Sequence, residues 1–326
     1  MKRYFIAGGA GFIGSTITKY LLKNTEDEVV VYDNLSSGKT EYLGGKLEDA
    51  LNVINRLIFI EGDIEDFATL KAAMNGSDIV IHLASNPDIA KALLDPTIDF
   101  WQGTFLTQCV LEAMRVTGVK KILYASGSGM YGENRNVSFA ENYSPLQPIS
   151  TYGASKLAGE ALICSYCNMF DMTGRSFRFA NVVGKNQTHG VAYDFIKKLK
   201  ADPKHLEIWG NGAQTKSYIY VEDVLDAIFM IDKQCKLKYD VFNVATNDRL
   251  TVNFIAGMVK TEMGLDPEIT YTGGDRGFKG DVPNITMNSS KIRDLYGWNN
   301  KYTSGQAMQK SIKDMLEKDE NISGQV

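Results

Sequence analysis

Tyr152 and Lys156, in the segment Tyr152-Gly-Ala-Ser-Lys156, are the residues whose types and spacing most suggest chemistry. In an α-helix, residues four positions apart are neighbours on one face. A protonated lysine favours a neighbouring phenolate and would lower a phenol pKa from about 10 toward neutrality. A phenolate of this kind can take a proton from a sugar or alcohol hydroxyl. The same spacing also fits an exposed tyrosine and a solvated lysine, so the rest of the chain must decide.

A glycine-rich turn follows the first apolar segment of the chain. Residues 2–7 predict a short buried strand, and residues 15–22 have helical spacing. Strand, glycine turn and helix form the context of a dinucleotide-binding fingerprint, in which glycines permit close approach of a pyrophosphate to the helix N-terminus. The residues of this turn predicted to bind the cofactor are Gly8, Gly11, Phe12, Ile13 and Gly14.

An acidic residue follows the second predicted strand, residues 28–32. Asp33 lies about 20 residues past the last fingerprint glycine, where a carboxylate accepts hydrogen bonds from the ribose hydroxyls and repels a 2′-phosphate. This position favours NAD over NADP as the cofactor. Further cofactor contacts are expected where the strands end, at Asn34, Ser36, Gly38, Asp63, Ile64, Leu83, Ala84 and Ser85.

Strands alternate with helical segments through the first half of the chain. Further strands are predicted at residues 57–61, 79–84 and 121–125. This alternation indicates an α/β protein with a doubly wound parallel sheet, in which ligands bind at the carboxyl ends of the strands. Long helices are predicted at 100–117 and about 151–170, the second with Ser150 as its N-cap. They could pair with a second subunit, which makes a homodimer a further expectation.

The composition restricts the partners and the location. The 326 residues are 44% apolar and 23% charged, and the net charge is −4 without a basic run. We therefore expect no nucleic-acid partner and no membrane partner. No apolar run is long enough to span a bilayer, and the N-terminus enters a strand directly without a signal sequence. We expect a cytoplasmic protein.

The cysteines and one histidine are predicted to be structural. Cys109, Cys164, Cys167 and Cys235 are too few and too scattered for a disulfide framework. The Cys164–Cys167 pair lies inside a predicted helix, without a second pair or a nearby histidine, so we expect reduced thiols and no metal site. His82 lies in a strand without a partner at a recognisable spacing, and we expect a buried structural role.

These motifs occur in order, together with Tyr131-Gly132 and Arg178-Phe-Ala-Asn181, which is expected to be a sixth strand with Asn181 at its end. Jointly they resemble the extended short-chain dehydrogenase/reductase family, in particular nucleotide-sugar epimerases and dehydratases such as UDP-glucose 4-epimerase. The resemblance covers nearly the whole chain. It implies an NAD-binding Rossmann domain over residues 1–177, with returning segments near 218–245, and a smaller C-terminal α/β substrate domain mainly over 178–326. It also implies a nucleotide-diphosphate sugar as substrate.

The resemblance assigns substrate contacts in the second half of the chain. Asn181 would bind the diphosphate or the sugar. Lys216 stands where relatives usually carry an arginine that meets the diphosphate, so a point charge replaces a bidentate fork. In a late loop, Arg276 and Lys279 could reach phosphate, while Asp281 could contact the ribose.

One position departs from the family pattern. Most relatives carry Ser or Thr four residues before the tyrosine of the Tyr-Gly pair, and this hydroxyl assists proton transfer; here the residue is Gly127. Ser126 and Ser128 flank it, and Ser128 could substitute if the loop bends. The acidic residues that dehydratases and decarboxylases carry next are replaced by Ser128-Gly129. This leaves epimerisation or simple oxidation at carbon 4.

The mechanism that the resemblance implies has Tyr152 remove the C4 hydroxyl proton while hydride passes to the nicotinamide, with Lys156 holding the ribose. An epimerase then returns hydride to the other face of the keto sugar. A first alternative is a nucleotide-sugar 4-dehydrogenase, or an enzyme of altered chemistry, that retains NADH. A second is a catalytically silent NAD-binding regulator, which Gly127 favours and the retained Tyr152 and Lys156 oppose.

Overall fold

Runs of β-branched residues build the central sheet. The strand Glu28–Asp33, for example, buries Val29, Val30 and Val31 completely. Strands with both faces covered read as continuous apolar runs, because helices lie on both sides of a parallel sheet. The computed structural model describes residues 1–44 and 55–323 of the chain.

Seven strands form one parallel sheet, and shorter strands pair beside it. In chain order the strands are β1 Arg3–Ala7, β2 Glu28–Asp33, β3 Leu57–Glu61, β4 Ile79–His82, β5 Lys121–Gly127, β6 Ser138–Phe139, β7 Thr173–Phe179, β8 Asn181–Val183, β9 His205–Ile208, β10 Thr215–Lys216, β11 Tyr218–Tyr220, β12 Tyr239–Val244, β13 Leu250–Thr251, β14 Glu268–Tyr271 and β15 Thr286–Met287. The spatial order of the large sheet is β12-β7-β5-β4-β1-β2-β3, and all its neighbours are parallel. The order reverses beside β1, so the predicted doubly wound α/β fold is confirmed.

Helices cover both faces of this sheet. They are α1 Phe12–Asn24, α2 Phe67–Met74, α3 Leu106–Thr117, α4 Thr151–Met169, α5 Val191–Ala201, α6 Val221–Gln234, α7 Val252–Met263, α8 Ser290–Tyr296 and α9 Ser304–Ser323. Leu70 of α2, Val110 of α3 and Ile163 of α4 share one apolar core. Ile17 of α1 and Leu225 of α6 belong to the core on the other face.

Several predicted helix limits change by a few residues. The helix expected at 15–22 spans Phe12–Asn24. The segment expected as one helix over 100–117 begins with a π-helical turn, Phe100–Phe105, before α3. The helix α4 begins after Ser150, whose side chain accepts the backbone N–H of Gly153 at 3.1 Å, as expected for an N-cap. Within residues 1–44 and 55–323, no helix combines the length and apolar character needed to cross a membrane.

The strand predicted at residues 178–181 is wrong in its limits. The strand β7 ends at Phe179, and Asn181 begins the separate strand β8, which pairs with β11. The chain changes partner at this point, because the Ala180 N–H donates to Val244 while the Asn181 N–H donates to Ser217. β12 belongs to the large sheet although it lies after residue 178, and the division into domains at that residue stays a prediction.

A buried polar network connects β7 to α4 and to the segment after β5. The Arg178 guanidinium donates to both carboxylate oxygens of Glu160, with the shortest bond at 2.7 Å, and to the Tyr131 hydroxyl at 2.8 Å. The Tyr131 hydroxyl donates to Asn243 of β12 at 2.7 Å. Arg178 and Glu160 are both 4% exposed. One guanidinium therefore holds a helix, a loop and a strand together.

We predict that Glu160→Gln lowers the free energy of unfolding by about 3–5 kcal/mol, because it leaves the Arg178 charge buried without a counterion. Chemical denaturation followed by far-UV circular dichroism measures the change. The matched control is Glu112→Gln, which breaks the surface pair with Arg115; such pairs contribute little, so its midpoint should hardly move. Equal effects of the two substitutions would contradict a structural role for the buried pair.

Candidate active site

A cavity of about 1110 Å³ opens at the carboxyl ends of the sheet strands. This volume exceeds the range of about 300–1,000 Å³ usual for a single small-molecule site, so two ligands can fit. The predicted site residues in its lining are Gly8, Gly11, Phe12, Ile13, Gly14, Asp33, Asn34, Ser36, Asp63, Ile64, Leu83, Ala84, Ser85, Ser126, Ser128, Tyr152, Lys156, Asn181, Lys216 and Asp281. Gly38, Arg276 and Lys279 are outside this lining.

The glycine turn leaves room for an anion at the start of α1. Gly8 has a φ of +82°, and a Cβ there would lie 2.8 Å from the Ala84 nitrogen. A Cβ on Gly14 would lie 2.2 Å from the Gly8 carbonyl oxygen, so only glycine permits this packing. The helix has no side-chain N-cap bond and no acidic residue in its first turn. Its first backbone N–H groups can therefore bind a pyrophosphate.

Asp33 lies at the end of β2 and is only 8% exposed. One carboxylate oxygen accepts the Ala10 N–H and the other the Leu35 N–H, each at 2.9 Å. Burial raises the pKa of Asp33, and the amide hydrogen bonds partly oppose this rise. A carboxylate has about four acceptor positions, so two remain for ribose hydroxyls. Gly38 lies behind it, where a Cβ would be 2.9 Å from the Ala10 carbonyl carbon.

Lys156 is held at the ends of two neighbouring strands. Its ammonium donates to the Ala125 carbonyl at 2.9 Å and to the Ser85 hydroxyl at 3.1 Å. The Nζ atom lies 5.5 Å from the centroid of the Tyr152 ring. Burial lowers the pKa of Lys156 to about 8, so the amine is mostly protonated at neutral pH. The predicted lysine–tyrosine neighbourhood is present.

The prediction that protein groups lower the pKa of Tyr152 is wrong. Burial raises the pKa of Tyr152 to about 12, and the Asp99 carboxylate adds to this rise. Asp99 is 1% exposed and accepts hydrogen bonds from Thr151 at 2.7 Å and Asn86 at 2.9 Å. Asp99 was not among the predicted site residues, because no motif or spacing connects it to α4.

Gly127 lies directly beside the phenol. A Cβ added to this glycine would be 3.6 Å from the Tyr152 hydroxyl oxygen, with no closer contact. A hydroxyl-bearing residue at position 127 would thus reach the reacting group. The flanking serines differ in their surroundings. Ser128 is partly exposed, whereas Ser126 is 3% exposed and, among the described residues, its hydroxyl has no hydrogen-bond partner.

The predicted substrate contacts are partly engaged with one another. Lys216 forms an ion pair with Asp281 at 2.5 Å, and Asp281 also accepts the Gly277 N–H at 3.1 Å. The Asn181 amide donates to the Ser217 carbonyl at 3.1 Å. Their roles toward a diphosphate or ribose stay predictions.

Two further predicted cations lie away from the cavity lining. The Arg276 guanidinium is paired with Glu133 at 3.2 Å and with Asp275 at 3.3 Å. Lys279 is exposed in the same loop. Arg276 therefore forms ion pairs with two carboxylates that were not predicted as its partners.

The residues predicted to be structural are placed as expected. His82 is 1% exposed, its Nε2 lies 3.2 Å from the Thr107 hydroxyl, and burial lowers its pKa to about 3, so the ring is neutral. The four cysteines are free thiols, and burial raises the pKa of Cys167 to about 11. In the described part of the chain, no three His, Cys, Asp or Glu side chains are grouped as metal ligands.

Comparisons with known proteins agree with this geometry. A sequence model of the NAD dependent epimerase/dehydratase family matches residues 4–245. A protein of Methanocaldococcus jannaschii provisionally named UDP-glucose 4-epimerase is 32% identical, over 90% of this chain and 92% of its own length. The crystal structure of a UDP-galactose 4-epimerase is 36% identical with a TM-score of 0.85, covering 97% of this chain and 99% of that one.

A third relative is the UDP-glucose 4-epimerase of Thermotoga maritima, solved with UDP-glucose. It is 28% identical with a TM-score of 0.85, and the alignment covers 97% of this chain and 99% of that one. The glycine turn, Asp33 and the Tyr152–Lys156 pair fit NAD. The chain belongs to the NAD-dependent epimerase/dehydratase family and is an NAD-dependent enzyme with the Rossmann fold.

Proposed function

We propose that this protein is a nucleotide-sugar epimerase that transiently oxidises carbon 4 of a nucleotide-diphosphate hexose. The observation that carries the proposal is the position of Tyr152 and Lys156 in one cavity that also contains the glycine turn and Asn181. A dinucleotide and a sugar nucleotide can meet there. UDP-hexoses are the first substrates to test, because the relatives are named for them.

Bound NAD supplies the hydride acceptor and a positively charged nicotinamide. The glycine turn would hold the pyrophosphate at the N-terminus of α1, and Asp33 would accept the ribose hydroxyls. Lys156 is anchored by Ala125 and Ser85, and we assign it to the nicotinamide ribose. These contacts would bring the reacting end of the cofactor next to Tyr152.

Tyr152 would take the proton of the C4 hydroxyl. Its raised pKa opposes this step, so the phenolate needs nearby positive charge. The charge on Lys156 is present below pH about 8, and the oxidised cofactor adds its own. The same phenol would return the proton after the keto sugar has turned its other face to the cofactor.

The remaining assignments extend this proposal. Asn181 would contact the diphosphate or the sugar, and Lys216 the diphosphate. Arg276 and Lys279 could reach phosphate, and Asp281 could contact the ribose. We propose a Rossmann domain over 1–177, with returning segments near 218–245, and a substrate domain mainly over 178–326. A homodimer through α3 and α4, and a cytoplasmic location, also stay predictions.

A specific observation favours a second candidate, a 4-dehydrogenase or altered enzyme that retains NADH. Gly127 provides no hydroxyl beside the phenol, although its Cβ position lies 3.6 Å from the Tyr152 oxygen. Slow proton return would leave the keto sugar and NADH. A silent regulator would show neither epimer interconversion nor NADH formation.

We predict that Tyr152→Phe slows epimer interconversion and NADH formation by roughly 10²–10⁴, because the positioned acid–base group is lost. Conversion of UDP-glucose to UDP-galactose and absorbance of NADH measure both. Tyr166→Phe, a tyrosine on the same helix whose hydroxyl contacts Gln108, is the matched control and should retain activity. An unchanged rate in Tyr152→Phe would exclude this phenol as the base.

The flanking serines can be tested together with Gly127. If Ser128 replaces the missing hydroxyl, Ser128→Ala should slow turnover by roughly 10²–10⁴, whereas Ser126→Ala should not. Gly127→Ser should restore turnover in Ser128→Ala, because position 127 has an extended backbone and space for a side chain. Initial rates at saturating substrate measure these effects. A change of less than a few-fold in Ser128→Ala would eliminate it as a substitute.

We predict that Asp33→Asn raises the affinity for NADP relative to NAD by at least roughly tenfold, because it removes the repulsion between the Asp33 carboxylate and the 2′-phosphate of NADP. Titration calorimetry with both cofactors measures the ratio of dissociation constants. Asp66→Asn, at an exposed helix cap, is the control and should keep the ratio of the original protein. Comparable binding of NAD and NADP by the unmodified protein would contradict the role of Asp33.

A further inference from the structure

A carboxylate beside the reacting end of the cavity has no role in the mechanism above. Asp99 accepts hydrogen bonds from Thr151, which precedes Tyr152, and from the amide of Asn86. The same amide donates to the Asp88 carbonyl at 2.9 Å, and the Asn86 side-chain oxygen accepts the Asp88 N–H at 3.1 Å. This chain of contacts fixes Asp88 relative to the catalytic helix.

The Asp88 side chain is available to a ligand. Its Oδ1 accepts the Ala90 N–H at 3.0 Å. Within residues 1–44 and 55–323, its other oxygen has no hydrogen-bond partner and no cation forms an ion pair with it. The side chain is partly exposed and lines the cavity. A carboxylate in this setting can accept hydrogen bonds from two sugar hydroxyls.

His189 lines the same cavity from the segment just before α5. Its Nδ1 lies 3.3 Å from the Thr188 hydroxyl. The His189 side chain is exposed, and an ordinary imidazole is mostly neutral at neutral pH. The ring can therefore exchange hydrogen bonds with sugar hydroxyls.

Charges of both signs lie along α5. Asp194, in the first turn, is close enough to Asp88 for their charges to interact unfavourably, whereas the charges of Lys198 and Lys197 favour its ionised form. The Lys198 ammonium donates to the Glu207 carbonyl at 2.8 Å and lies 5.2 Å from the Trp209 ring centroid. Asp194, Lys197 and Lys198 all line the cavity, so the charge of Asp194 is partly balanced by cations.

We propose that Asp88 and His189 form a wall that recognises the sugar through its hydroxyls and restricts the substrate to uncharged hexoses. The inference rests on the proposed function and specifies its substrate class. A hexuronic acid would bring its carboxylate toward the Asp88 carboxylate. Like charges brought together in a partly buried site repel strongly, so specificity here would arise from repulsion as well as attraction.

Titration calorimetry on the NAD-loaded protein, with UDP-glucose and UDP-glucuronic acid, tests the proposal. We expect UDP-glucose to bind at least roughly 100-fold more tightly, as repulsion of that size requires. Asp88→Asn keeps the shape of the side chain and one hydrogen-bond acceptor but removes the negative charge. It should therefore reduce the ratio of the two affinities by roughly tenfold or more. His189→Arg adds a cation and should tighten UDP-glucuronic acid binding further.

Glu65→Gln is the matched control, because this carboxylate lines the cavity near Asp63 at the dinucleotide end. It should leave the ratio unchanged. The inference would be overturned if the unmodified protein bound the two sugar nucleotides equally, or if Asp88→Asn left the ratio of their dissociation constants unchanged. The proposed function would still stand in either case if the protein interconverts UDP-glucose and UDP-galactose. If the unmodified protein bound neither sugar nucleotide, both the inference and the proposal that UDP-hexoses are substrates would be overturned.

Discussion

Desolvation of Tyr152 and Lys156 is the constraint on which the site depends. Burial favours the neutral form of each group, lowering the pKa of the lysine to about 8 and raising that of the tyrosine to about 12. The protein therefore does not hold a phenolate ready in advance. Because Asp99 adds negative charge nearby, the proposed phenolate would need both the protonated Lys156 and the positive nicotinamide of bound NAD, which would connect activation of the base to cofactor occupancy.

The Arg178 network explains how a glycine at position 127 can face the phenol so closely. Arg178 binds Glu160 on the helix that carries Tyr152, and it also binds Tyr131 in the segment that follows Gly127. Both walls of the reacting region are thus held by one guanidinium. Since Arg178, Glu160 and Tyr131 are all buried, a change in loop position would leave a charge or hydroxyl unpaired, which is costly.

Local pattern was sufficient for the parts of the fold that depend on neighbouring residues. The strand–glycine–helix turn, Asp33 and the Ser150 cap are all encoded within a few positions and were predicted. The limits of β7 and β8 were not, because the chain changes partner at Ala180 through bonds to distant strands. The contact of Asp99 with Thr151 and the pairing of Arg276 with Glu133 likewise join segments far apart in sequence, for which no periodicity exists.

The cations that line the cavity bear on how the proposed substrate would be held. Lys216 is paired with the buried Asp281, so its attraction for a diphosphate is partly cancelled, although an ammonium has further protons to donate. An arginine there could bind a carboxylate and a phosphate as a planar fork, whereas a lysine acts as a point charge. In the proposed complex, binding of the diphosphate would then depend more on other cations of the cavity lining, such as Lys197 and Lys198. Their attraction for the diphosphate would help to orient the substrate before the proposed reaction at Tyr152.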